Sequence, residues 1–318
     1  MMQPPEGALV VFKPAGLTSH DIVDKVRRAY GGRAGHAGTL DPMAIGVLVI
    51  FLERSLKLLQ YIPASALDKT YLARVTLGRT TDTYDATGTT TAQHQQPILL
   101  EKEQILDGLR HFVGEYKQRP PNFSAVKVKG KRAYDLARRG ESPDIPERMV
   151  HVSSIRLIRD FGSETERHLV LRIHCSRGTY IRSIAHELGQ FFGCGGHLSY
   201  LLRERVGVWA MKDAFPFWKV ERKISFSSVP AFMPLREILP YPRVEVQNGA
   251  EAKIRNGVPL DPRDIKLLNP ESLNLSMECE ERLIQILSPQ GDLLALYKPE
   301  LPRPLNGAPR LVPVRILS

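Results

Sequence analysis

Apolar positions along the chain recur with two periods, and each stretch predicts an element. Ala8 to Phe12 is a short apolar strand closed by Lys13-Pro14. Ile22, Val23 and Val26 then recur at helical spacing, with Thr18 or Ser19 offering an N-cap oxygen and Gly31 ending the helix. Gly46 to Leu52 reads as a buried strand and Ser55 to Tyr61 as a helix. Residues 68–78 alternate as a half-buried strand and run into a Thr- and Asp-rich loop, RTTDTYDATG. Glu101 to Phe112 is an amphipathic helix, and strands follow at Met149 to Arg159 and His168 to Cys175. Thr179 to Phe192 reads as a helix and His197 to Val206 as another strand. Strands interspersed with helices in no strict alternation predict an α+β core, with a mixed or antiparallel central sheet flanked by helices. Beyond Pro240-Tyr241-Pro242 short β-like segments dominate: Val244 to Val246, Leu283 to Leu287, Leu293 to Tyr297 and Val312 to Leu317. The pattern predicts one domain over 1–240 and a small β-rich domain over 241–318.

Charge sharpens this picture. The 44 Lys and Arg exceed the 34 Asp and Glu, and a formal charge of +10 favours a polyanionic partner, nucleic acid first. Between Tyr116 and Gly140 lie eight of those cations, Lys117, Arg119, Lys127, Lys129, Lys131, Arg132, Arg138 and Arg139, against Asp135 alone. Tyr116, Phe123 and Tyr134 interleave them with rings, so phosphates can meet the cations while unstacked bases lie on the rings. The longest apolar run, Val47 to Leu52, is far short of the roughly 20 residues that span a bilayer. The opening MMQPPEGALVVFKP lacks a secretory pattern, so a cytoplasmic protein without membrane contact is expected. Cys175, Cys194 and Cys279 are odd in number and widely spaced, which predicts reduced thiols and neither a disulfide framework nor a zinc site. Phosphate-loop and HExxH spacings are absent, Asp82 and Asp85 offer too few ligands for a calcium loop, and no metal is expected.

Candidate chemistry centres on GHAGTLDPMAIGVL, residues 35–48. Gly35 and Gly38 permit backbone angles closed to other residues, and Pro42 fixes the chain direction directly after Asp41. Such a loop aims a carboxylate, although the same residues also suit a surface turn in which Asp41 only bonds nearby N–H groups. In HCSRGTYIRSIAHELG, Arg182 falls in the first turn of a helix, where a guanidinium can hold a carboxylate with two hydrogen bonds. Arg182 can clamp Asp41; taken alone, other acids are available to it and a helix-start Arg is more often a surface residue.

Five motifs occur in order: GHAGTLDPMAIGVL, LGRTTDTYDATG, PPNFSAVKVKGKRAYDLARRGE, HCSRGTYIRSIAHELG and CGGHLSYLLRERVG. From Lys13 to about Gly207 the chain thereby resembles the bacterial TruB family of tRNA pseudouridine synthases. The resemblance implies a pseudouridine-synthase core with a PUA-like C-terminal domain. The implied activity is isomerisation of uridine 55 in the TΨC arm of tRNA, without cofactor, metal or guide RNA, by a monomer. It implies that Asp41 is the catalytic carboxylate, Arg182 its ion-pair partner and Tyr71 the ring that stacks on the target base and takes part in proton transfer. His36 matches the residue among the splayed T-loop bases, Leu201 an apolar wall of the base pocket, and Lys13 with Pro14 a motif packed near the catalytic loop. Tyr180 and Asp85 fall in matching motifs. The insertion over about 123–150 resembles a thumb that grips the T arm, with Lys127, Lys129, Lys131 and Arg132 on the RNA, while the C-terminal domain is expected on the acceptor stem. Ala37 and Ile45 stand where the family commonly has Thr, and Phe123 where it usually has Tyr, so Phe123 keeps a stacking face and lacks a hydroxyl. Three rivals remain at this point: an RNA-guided synthase of the dyskerin type, a tRNA-binding folding factor, and a metal-dependent RNA hydrolase.

Overall fold

The computed structural model describes residues 6–124, 126–128, 130–137, 139–141, 143–220, 229–247, 249–268, 283–300 and 310–317, without the side chains of Lys127 and Arg132. In chain order the first elements are β1 (Gly7–Lys13), α1 (Ser19–Tyr30), β2 (Ala34–His36), β3 (Ile45–Leu52), β4 (Lys69–Leu77), β5 (Arg79–Thr81) and β6 (Thr90–Gln93). Next come α2 (Lys102–Arg110), β7 (Gly114–Gln118), β8 (Lys127–Val128), β9 (Lys131–Arg132), α3 (Ala133–Ala137), β10 (Arg148–Gly162), β11 (Arg167–Cys175) and α4 (Ile181–Phe191). The large sheet is completed by β12 (Gly196–Val206), β13 (Trp209–Ala210), β14 (Phe215–Pro216) and β15 (Phe232–Pro234). The C-terminal part holds β16 (Arg243–Val246), α5 (Glu251–Arg255), β17 (Ile265–Leu267), β18 (Ile284–Leu287), β19 (Leu293–Glu300) and β20 (Arg310–Ile316).

The large sheet runs β14-β1-β3-β12-β4-β11-β10-β7, with β2, β13 and β15 paired at its margins. It is mixed: β12 meets β3 in parallel at Leu202↔Ile45 and Arg203↔Gly46, whereas β12, β11 and β10 join β4 and one another antiparallel. The parallel seam is possible because Gly46 has no side chain; a Cβ there would lie 2.3 Å from the Arg203 carbonyl oxygen, and its φ is +112°. The fold is therefore of the expected α+β kind. On one face, Tyr71, Ala73, Val75 and Leu77 of β4 pack with Leu169, Leu171 and Ile173 of β11 beneath α2 and α4. A second core forms where β1, β3 and α1 meet, and Leu287, Leu293, Leu296 and Leu317 from the C-terminal sheet are buried in it. That sheet, ordered β17-β16-β18-β19-β20, also has its own core around Val244, Ile286 and Tyr297.

Thr18 is the N-cap of α1, in a capping box with Asp21, and Gly31 closes the helix in the left-handed region. The expected helix over Ser55–Tyr61 is instead a 3-10 segment, Glu53–Tyr61. Ser55 Oγ donates to the carbonyls of Gly7 and Leu52, which ties the segment's start to two strands, and Pro63 lies just past its end. The last helix of the core begins at Ile181, with Tyr180 as its N-cap, two residues later than the sequence suggests. Cys175 and Cys194 are free and buried; Cys279 and Lys129 lie outside the described residues. No described helix is long and apolar enough to cross a membrane.

Candidate active site

Asp41 opens a four-residue turn whose closing bond runs from Ala44 N to Asp41 O, 3.0 Å, with Pro42 at its second position. Leu40 and Ala44 are buried in the core on either side of it, so the carboxylate is held at the surface by its neighbours' burial. Three side chains from outside the loop fix its backbone. Ser19 Oγ donates to Leu40 O at 3.0 Å and accepts from Leu40 N at 2.8 Å. Lys13 Nζ, fully buried, donates to Ala44 O at 2.6 Å, Pro14 O at 2.9 Å and Pro42 O at 3.2 Å. Arg203, also fully buried, donates to Val47 O, Gly38 O and Thr39 O. Burial pushes the Lys13 amine down to about 8, against the attraction of Asp41. Its three bonds compensate the cost of placing an ammonium among carbonyls.

The guanidinium of Arg182 meets the carboxylate in a two-point pair, Nε to Asp41 Oδ2 at 2.9 Å and Nη2 to Oδ1 at 3.0 Å. The Arg182 side chain is 4% exposed and that of Asp41 30%, so the cation lies inside and the acid at the opening. Arg182 Nη1 and Nη2 also donate to Thr83 O and Phe123 O, both at 3.0 Å. Asp85, buried, approaches Arg182 Nε at 3.8 Å through Oδ2, while its Oδ1 accepts from Thr83 Oγ1, Thr87 N and Thr87 Oγ1. Arg182 thus joins the Asp41 turn, the Thr- and Asp-rich loop and the Pro-Asn-Phe-Ser segment at one point. A planar five-donor group suits that task; a point charge does not. What the arrangement offers chemically is a carboxylate fixed in direction and open to a substrate on one side.

A profile of the TruB family pseudouridylate synthase (N terminal domain) matches residues 26–181. The tRNA pseudouridine synthase B of Solibacter usitatus (strain Ellin6076) is 39% identical over 300 residues, covering 93% of this chain and 97% of that protein. The enzyme of the same name from Corynebacterium efficiens is 38% identical over 91% of this chain and 94% of its own. The chain belongs to the TruB family of pseudouridine synthases. It is an enzyme that isomerises uridine in tRNA. The crystal structure of a Cbf5-Nop10-Gar1 complex matches at a TM-score of 0.66 and 24% identity, covering all of this chain and 86% of that one, a likeness of fold.

Around the TruB-family loop, Tyr71 lies 5% exposed on the same face of β4 as Ala73, and burial pushes its phenol up to about 12, opposed by the adjacent Arg203. Leu201 is buried beside it across the β4–β12 pairing, in one apolar cluster with Leu40, Ala44 and Tyr71. His36, on β2 opposite Ile50, is half-buried, and burial together with Arg203 holds its imidazole below the usual range. Tyr180 is positioned by Gln118, whose amide accepts from Tyr180 N and donates to Tyr180 O, and its ring lies 4.5 Å from the Arg148 guanidinium. Lys131 is exposed on the β8–β9 hairpin. Lys127 and Arg132 are paired there through their backbones.

Sequence reasoning missed Arg203, Ser19 and Gln118. Arg203 left a signal: it shares the inward phase of an apolar strand with Leu201, where a charge needs a reason. Ser19 and Gln118 left none, because their partners are backbone groups remote in sequence.

Proposed function

We propose that this enzyme converts uridine 55 in the TΨC arm of tRNA to pseudouridine, acting alone as a monomer, with Asp41 as the catalytic carboxylate. The observation that carries the reading is the two-point Arg182–Asp41 pair, with the cation buried and the acid open. The target base is stacked in the RNA elbow, so it must be extruded at a cost of a few kcal/mol before any chemistry. Grip on the T arm by the basic thumb over 123–150 offsets that cost, and the C-terminal domain adds contact with the acceptor stem. In the reaction the N1–C1′ bond breaks, the uracil turns while held, and a C5–C1′ bond forms; the C5 proton leaves and N1 takes one up. Attack of Asp41 on C1′ or on C6, or removal of a proton at C2′, each requires the same fixed carboxylate.

Tyr71 and Leu201 form the walls against which the detached uracil turns, with Tyr71 protonated throughout the physiological range. His36 and Tyr180 meet the flanking nucleotides. Lys13 holds the Asp41 turn, and Asp85 with Arg182 sets the acid's direction.

The test is to incubate the protein alone with unmodified tRNA transcript and to map pseudouridine by base. Product at the T-loop uridine without guide RNA is the expected result, and product elsewhere overturns the site assignment. Asp41→Asn is expected to abolish isomerisation while tRNA affinity stays within a few-fold. Pseudouridine formation at the wild-type rate by that variant would remove Asp41 from its role.

A further inference from the structure

The large sheet has a second face over β12, β4, β11 and β10. The helices in contact with these strands, α2 and α4, pack on the inner face with the Asp41 loop. The outer face is mostly polar, with long cationic side chains exposed and Leu72, Val170 and Leu202 among them. Its side chains stand in rows set by the register. One row crosses Arg156, Arg172, Leu72 and Leu202; the next crosses Arg159, Val170, Arg74 and Tyr200. A third row holds Ser154, His174, Thr70 and Arg205. Rows on one face are separated by about 7 Å and neighbouring strands by about 4.8 Å.

The charge of this face is one-sided. Arg156, Arg159, Arg172 and Arg205 are exposed and Arg74 half-buried. Among the described residues, two acids pair with side chains of the face: Glu204, held by Arg172 Nε at 3.0 Å and Nη2 at 3.2 Å, and Glu166, beside His168 at 3.4 Å. Arg156 stands directly opposite Arg172, a cross-strand pairing of like charges that costs stability in the protein by itself. Beneath the cations the floor is stiff: Thr70 bonds His174, Thr76 bonds His168 and Ser199, and Arg74 bonds Ser199. Two aromatic rings lie exposed on the same face, Tyr200 on β12 and Phe161 on β10, with the Arg159 guanidinium 4.8 Å from the Phe161 ring.

We propose that this outer face is a second RNA-binding surface, which holds a further segment of polynucleotide through its phosphates while a substrate is bound at Asp41. Rows of guanidinium on a hydrogen-bonded floor, with rings at the margins, fit a sugar–phosphate backbone. An RNA hairpin seated at Asp41 cannot reach the opposite side of the sheet. The two surfaces are therefore independent, and the inference does not rest on the role of Asp41.

The test uses the full chain and a short T-arm hairpin, titrated at low salt, with stoichiometry read by sedimentation. Two hairpins per protein are expected, the weaker phase falling with log salt at a slope of about −3 if the three unclamped exposed arginines meet phosphates. The triple variant R156E/R159E/R205E is expected to bind one hairpin and to keep the wild-type kcat at saturating substrate, which also shows that it is folded. The neutral triple R156Q/R159Q/R205Q should weaken the second phase less. Asp41→Asn is expected to keep both phases, so failure of the catalytic assignment and failure of this surface give different results. A stoichiometry of one for the wild type, or two phases with an unchanged slope in the charge-reversed variant, overturns the proposal and leaves this face to solvent or to a protein partner.

Discussion

At the scale of single residues, the site depends on cations that spend their donors on backbone. Arg182 places four hydrogen bonds on three segments of chain, two of them on Asp41. A lysine there keeps the charge and loses the fork, so the carboxylate regains freedom to turn. Arg182→Lys is expected to lower kcat about 10²-fold, the size of effect that small misplacements of a catalytic group produce, with KM changed only a few-fold. Single-turnover rates on tRNA transcript check this, and a kcat within threefold of wild type removes the clamp from the mechanism. Lys13 gives a pH signature of opposite signs. Its folded value near 8 lies below the ordinary lysine value of 10.5, so between those limits the unfolded chain binds more protons and stability contributed by this group rises with pH. Over the same window the amine passes from three donors to two, and one of the carbonyls of Pro14, Pro42 or Ala44 loses its partner. Activity of the wild type is therefore expected to fall above pH 8 while its urea midpoint does not fall with it. Lys69, pushed down to about 8 by burial as well, shares the stability rise. Lys13→Met isolates the part due to Lys13: its midpoint should gain less between pH 7.5 and 9.5 than the wild type's.

At the scale of elements, α4 and the Thr- and Asp-rich loop meet at two points. Arg182 binds Thr83 O and faces Asp85, and one turn later His186 stacks on Tyr84 with ring centroids 3.8 Å apart and planes 6° from parallel. Tyr84 has φ +63°, a backbone conformation that costs a non-glycine residue of order 1 kcal/mol or more, and it separates the two groups that address Arg182. The stack offsets that cost. Tyr84→Ala keeps the strain without the ring, and about a tenfold loss of kcat is expected; Tyr84→Phe should restore the rate, whereas equal loss in both would show that the hydroxyl, not the stack, matters. The strands and helices that carry these groups were legible in the sequence, because alternation and helical spacing report which face is buried: β4, β11, β12, α1 and α4 all lie within about two residues of the pattern. Asp41 and Arg182 were legible as a pairing of residue types, and the structure brings them together. Periodicity carries no information about which remote carbonyl a buried side chain will reach, so Ser19 on Leu40, Gln118 on Tyr180 and Arg203 on the Gly38–Thr39 turn emerge only from the fold. The segment Glu53–Tyr61 departs from its predicted helix for the same reason, through a serine hydroxyl spent on two strand carbonyls.

At the scale of the whole molecule, the chain carries a formal charge of +10, and the proposed thumb and the proposed outer-face site would use its cations in different steps. Phe123 O, at the start of the proposed thumb, accepts from Arg182, which ties that end of the insertion to the Asp41 site. On the proposed reading, the thumb's lysines act on the RNA whose base is being extruded, where each phosphate contact would help repay the cost of unstacking. Replacing Lys127, Lys129 and Lys131 by Ala is expected to raise KM and Kd for tRNA together and to flatten the dependence of log Kd on log salt by roughly 2 to 3, one counterion per lost contact. The outer arginines, on the far side of the sheet, should leave that slope untouched and change only the second phase. Combining the two sets of substitutions should then give additive losses, as expected for surfaces without shared partners. Filter binding of a full tRNA transcript across a salt series measures all three variants. A thumb variant with wild-type slope would move the T-arm grip elsewhere, and strong non-additivity would mean that one RNA spans both faces.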